Sequence, residues 1–127
     1  MLTSITKDGR TFHVGDVVRH FKSETIDLEG NTEFHYVITG FAKHSETGEI
    51  LVTYRALYGQ HDLCARPVDM FFSEVDRNKY PNIEQKHRLE RVCSVSELIH
   101  MAEAGVSDMT MNNLLQEFMN GLGEVTI

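Results

Sequence analysis

Apolar and polar residues alternate in short runs through residues 1–93, and the spacing changes to a helical one from residue 94 onward. Ile5-Thr6 and Thr11-Phe12-His13 flank Lys7-Asp8-Gly9-Arg10, and an Asp-Gly pair between two short runs is the turn chemistry of a tight hairpin. Val14-Gly15-Asp16 turns the chain again, and Asp16 to Phe21 reads as a strand. Lys22 to Thr32 is polar, contains Gly30-Asn31 and carries little periodicity, so a mobile loop is expected there.

Glu33 to Phe41 and Glu49 to Tyr58 are rich in β-branched and aromatic residues, and Ser45-Glu46-Thr47-Gly48 joins them as a hairpin. In the second strand Ile50, Val52, Tyr54 and Ala56 share one face, and Leu51, Thr53, Arg55 and Leu57 share the other. Both faces are partly apolar, which fits a small barrel or roll better than a flat sheet. Leu63 to Arg66 adds one short strand, ended by Pro67, and Val68 to Phe72 forms a helical turn. Asn82 to Val92 suits either a helix surface or a sheet edge, with the strand reading preferred.

The tail is helical. Ser94 with Glu97 makes a capping box, Val95, Leu98, Ile99 and Ala102 fall at helical spacing, and Gly105 is a stop. A second helix has Ser107 or Thr110 as its cap, Met111, Leu114, Leu115 and Phe118 as its apolar stripe, and Gly121 as its end. The expectation is a mainly β barrel or roll over residues 1–93, followed by a helical hairpin over 94–127 that packs on it or forms a dimer interface, α+β overall.

Composition narrows the function classes. The 127 residues, 41% hydrophobic and 24% charged, match a single folded domain with one core. The apolar runs are far too short to cross a bilayer and the first ten residues lack a signal-peptide core, so a cytoplasmic location with no membrane contact is expected. Cys64 and Cys93 lack metal-knuckle spacing and read as free thiols. The net charge of −7 is uneven: residues 1–93 carry all 12 Lys and Arg against 14 acids, whereas residues 94–127 carry only the acids Glu97, Glu103, Asp108, Glu117 and Glu124. Any anion site therefore belongs to the first part.

Ala104-Gly105-Val106-Ser107, with Thr110, Met111, Leu114 and Leu115, has the spacing of a helix-turn-helix centre. The segment has no cation to meet phosphate, so DNA reading is disfavoured. None of the seven histidines pairs with another at metal-motif spacing. A site assembled across strands from His20, His35 and His44 is the one metal-enzyme reading open. Neither cysteine sits in a nucleophile motif, and phosphate-binding loops and dinucleotide fingerprints are absent, so no enzyme activity and no cofactor are expected. What remains is a polar-aromatic set: Arg19, His20 and Lys22 at one strand end, Tyr36, His44, Glu46, Tyr54 and Tyr58 around the hairpin, and Arg66. Such groups stack a ring and neutralise a carboxylate or phosphate.

From Gly15-Asp16-Val17-Val18-Arg19-His20-Phe21-Lys22, through Tyr36-Val37, Gly40, Ala42-Lys43-His44-Ser45-Glu46-Thr47-Gly48-Glu49, Val52, Tyr54 and Ala56-Leu57-Tyr58-Gly59, to Arg66-Pro67 and Met70-Phe71, the chain resembles the bacterial family known as domain of unknown function 1653. The resemblance implies a compact SH3-type barrel or roll and names no activity. Carried over by position, the family's polar motif residues are Arg19, His20, His44, Glu46, Thr47, Tyr58 and Arg66. The chain departs from the family in a longer Lys22 to Tyr36 loop, in Cys64-Ala65 where an aromatic-aliphatic pair is usual, and in the tail beyond about residue 93.

The function expected from this reading is a small binding module. Arg66 and Arg19 are its anion partners and Tyr54 or Tyr58 its stacking faces, for a small ligand, peptide, nucleotide or RNA end. The alternative is a structural protein that dimerises, or docks on a partner, through the acidic helices.

Overall fold

The computed structural model describes residues 1–122. Glu124 and the end of the 94–127 segment lie outside the described residues.

The chain opens with β1 (Ser4–Lys7) and β2 (Arg10–His13), paired from Ser4 opposite His13 to Lys7 opposite Arg10. Asp8 and Gly9 take φ of 52° and 77°, the two left-handed positions that a tight hairpin turn of this hand requires. Five antiparallel strands form the main sheet: β3 (Asp16–His20), β4 (His35–Lys43), β5 (Ile50–Ala56), β6 (Leu63–Pro67) and β7 (Leu89–Ser94). Their order is β6-β5-β4-β3-β7, so the sheet is open with β6 and β7 at its edges. Bulges between Val17 and Val18 and between Ile38 and Gly40 bend it. A 3-10 helix spans Phe21–Thr25, and α1 (Val68–Phe71), α2 (Val95–Glu103) and α3 (Met109–Asn120) complete the order.

The bent sheet buries residues on both faces, with Val52, Tyr54 and Ala56 the buried positions of β5. One face carries Val18, Ile38, Val52, Tyr54 and Leu89 against Phe12 of the β1–β2 hairpin, Phe71 of α1 and Phe72 just after it. The other carries Val17, Val37, Leu57 and Cys93 against Leu98 of α2 and Leu114 of α3. Leu114 has no solvent exposure, and Met111, Leu115 and Phe118 pack around that second cluster, so the tail's apolar stripe lies on the sheet.

Ser94 caps α2 as expected, its hydroxyl accepting from the Glu97 amide. The cap of α3 is neither Ser107 nor Thr110. It is Asp108, whose carboxylate accepts from the Met111 amide and places negative charge at the positive end of the helix. Within Asn82 to Val92 the strand reading holds from Leu89 onward. Residues 82–88 instead form an irregular segment, with an isolated bridge between His87 and Glu74 outside the named strands.

The Lys22 to Thr32 segment is tied down at both ends. Its first part is the 3-10 helix, whose Glu24 accepts from the Glu84 and Gln85 amides. Its far end is held by the Asn113 side chain of α3, which donates to the Gly30 carbonyl at 2.9 Å. Among the described residues no helix is long and apolar enough to cross a membrane.

Candidate functional site

Strand alternation carries the first core face to the sheet's end, where the residues become polar. Val18 faces the core, so His20, two residues on, faces the same way. Arg66 pairs with Val52 across β5 and β6 and inherits that face too. Phe21 donates its amide to the Arg88 carbonyl, which brings the residue preceding β7 alongside. The result is a pocket of about 320 Å³ lined by His20, Phe21, Lys22, Arg66, Val75, Asp76, Lys79, Tyr80 and Arg88.

Both guanidinium groups in this pocket are held by their Nε atoms. Arg66 Nε donates to Tyr54 Oη at 3.1 Å, and Arg88 Nε donates to Ser73 Oγ at 3.0 Å. Among the described residues the terminal nitrogens of both have no protein partner and no buried side-chain polar atom lacks one, so these nitrogens are accessible to solvent. Among the described residues none of Lys22, Arg66, Lys79 and Arg88 joins an ion pair. Asp76 is the single acid of the lining, and its Oδ1 accepts from the Asn78 and Lys79 amides.

His20 is 9% exposed, and its Nδ1 accepts from the Lys22 amide at 3.1 Å. The neutral ring therefore carries its proton on Nε2, which has no protein partner among the described residues. Burial pushes its pKa down to about 4, and the positive charges of Arg66, Lys22 and Arg88 push the same way. Burial likewise lowers Arg88, with Arg66 adding to the shift. Two guanidiniums thus line one pocket with a neutral imidazole, and among the described residues neither guanidinium is paired with a carboxylate. The aromatic wall is Tyr80, whose ring packs edge-on against Phe21 at 4.8 Å. Phe34 lies 6.0 Å from the His20 ring and holds a φ of 61°, a strained value for an aromatic residue.

Of the residues singled out in the sequence, His20, Lys22 and Arg66 meet here and the others do not. Arg19 adjoins His20 in β3 and so points to the opposite face, where it pairs across from His35. Its Nε donates to Gln85 Oε1, and Gln85 Nε2 donates back to the Arg19 carbonyl. Arg19 thereby positions the segment that carries Lys79, Tyr80 and Arg88. Tyr54 is 5% exposed, packed edge-on against Tyr36 and Phe71, and presents no face for stacking. Tyr58 is half-buried, with its hydroxyl 2.8 Å from that of Tyr36 and its ring 5.8 Å from Phe34. His44, Glu46 and Thr47 form the β4–β5 turn: His44 Nδ1 accepts from the Glu46 and Thr47 amides, and Thr47 Oγ1 from the Glu49 amide.

His35 pairs with Arg19 beside His20, His44 follows the far end of β4 in the turn, and among the described residues no group of three His, Cys, Asp or Glu side chains is placed to hold a metal ion. The thiol of Cys93 is buried and pushed up to about 11 by that burial and by Glu97, the reverse of an activated nucleophile. Arg88, Lys79 and Tyr80 escaped the sequence reading. The one available signal was the density of basic residues in Lys79 to Arg91.

A family model described as protein of unknown function (DUF1653) matches residues 16–91, which include every residue lining the pocket. No curated protein and no solved structure matches the chain.

Proposed function

The chain belongs to the family described as protein of unknown function (DUF1653), and from that premise we propose that it is a non-enzymatic binding module holding an anion-bearing ligand between Arg66, Arg88 and His20. The observation that carries this reading is the pair of Nε-anchored guanidiniums whose terminal nitrogens have, among the described residues, no protein partner and no acidic one. Uncompensated like charges cost stability, and a ligand anion relieves that cost. A volume of about 320 Å³ lies at the lower end of the roughly 300–1,000 Å³ typical of small-molecule sites. An SH3-type roll in a bacterial cytoplasm, with both thiols reduced, is part of this reading.

The test is a thermal-unfolding series with phosphate, sulfate, citrate and nucleoside monophosphates. A ligand at a hundred times its dissociation constant adds about 2.7 kcal/mol, which raises the midpoint of a domain this size by several degrees. The Arg66→Gln/Arg88→Gln double variant is expected to unfold near the wild-type temperature and to lose that shift. Equal shifts in both proteins place the anion elsewhere and overturn the reading.

A second reading, docking of a partner or a second copy on the helices, draws on the exposed Ile99, Val106, Met109 and Met119. Sedimentation over a range of concentrations tests the dimer, and a single monomeric species throughout excludes it.

A further inference from the structure

We infer that the anion this pocket takes is the terminal phosphate of a monoester. The inference rests on the anion-site reading above and specifies its ligand. Charge is the first argument. Lys22, Arg66, Lys79 and Arg88 face one carboxylate, Asp76, whose Oδ1 is already engaged with backbone amides. A carboxylate or a phosphodiester carries one negative charge and leaves most of this excess in place. A monoester carries about −1.5 to −2 near pH 7.

The direction of the donors is the second argument. Arg66 comes from β6, Arg88 from the residue before β7, and His20 from the end of β3, so they approach from three separate elements. A carboxylate is planar, with two acceptor oxygens, and one guanidinium satisfies it bidentately. A phosphate monoester presents three terminal oxygens around a tetrahedral centre, and these suit two guanidiniums and an imidazole N–H arriving from different sides. Arginine in place of lysine at the two anchored positions also fits planar, paired recognition of phosphate oxygens. The fourth oxygen carries the ester group toward the remaining lining, which is apolar and aromatic at Phe21, Val75 and Tyr80.

Calorimetric titration with three ligands that share one ring tests this: phenyl phosphate, methyl phenyl phosphate and benzoate. Phenyl phosphate is expected to bind at least about tenfold more tightly than either monoanion. The Arg66→Gln/Arg88→Gln variant, with its melting temperature checked alongside, is expected to weaken phenyl phosphate about tenfold or more. Benzoate binding as tightly as phenyl phosphate overturns the phosphate inference and leaves the anion site standing. Phenyl phosphate binding unchanged in the variant, or no binding by any of the three, overturns both.

Discussion

Arg66 Nε lies 3.1 Å from the hydroxyl of Tyr54, so one hydrogen bond fixes a pocket cation to the hydrophobic core. Tyr54 is 5% exposed and its ring sits edge-on to Phe71 at 5.5 Å. Tyr54 acts on the pocket through Arg66, as a positioning residue.

Removing only that hydroxyl separates positioning from packing. Tyr54→Phe keeps the ring and deletes the acceptor. The expected stability loss is about 0.5–1.5 kcal/mol, with anion affinity weakened several-fold because Arg66 gains rotamer freedom. A denaturant melt and an anion titration on the same sample read the two effects. Unchanged affinity shows that the contact plays no part in shaping the site.

The pH dependence of stability reports on His20. Its folded pKa of about 4 lies below the ordinary value of 6.5, so between those limits the unfolded chain takes up a proton that the folded chain refuses. Stability is therefore lost as the pH falls from about 6.5 toward 4 and is independent of this group above about 7. Burial lowers His35 as well, which adds a loss of the same sign. His20→Gln, which keeps an acceptor for the Lys22 amide, is expected to flatten the fall without abolishing it. Midpoints measured at intervals from pH 4 to 7 for both proteins check this.

Much of the fold could be read from local chemistry. Asp8-Gly9 turns, the Ser94 cap and the alternation of β5 each depend on neighbours in sequence, and each is found where expected. The site was only half legible. His20 and Arg66 lie in strands, where period two assigns a face. Arg88, Lys79 and Tyr80 lie in a segment whose course is set by Gln85 against Arg19 and by Glu24 against two backbone amides, contacts about 60 residues apart in sequence. His44 and Thr47 lie apart from this pocket and serve their own turn, where both side chains accept backbone amides.

The tail is part of the core by the same measure. Leu114→Ala removes a fully buried side chain from the cluster with Val17, Val37 and Leu98, and is expected to cost about 3 kcal/mol, lowering the midpoint by roughly 10 °C in one transition. A loss under about 1 kcal/mol contradicts the packing of α3 on the sheet.

Gly30 meets α3 at close range. Its φ is 76°, and a Cβ there lies 2.7 Å from Asn113 Nδ2 and from the Met109 side chain. Gly30→Ala is expected to destabilise by about 1–2 kcal/mol through the left-handed backbone alone, with more from the crowding. Equilibrium unfolding measures it, and a neutral or stabilising result shows that this loop does not rest on the helix.

The central claim is that an anion enters between Arg66, Arg88 and His20, and side-chain NMR during a phosphate titration tests it most directly. The Nε signals of Arg66 and Arg88 and the ring signals of His20 are expected to shift together along one saturation curve, while those of Arg19 and His44 stay still. Saturating shifts at Arg19 or His44 in place of these, or no saturating shift at all, contradict the account.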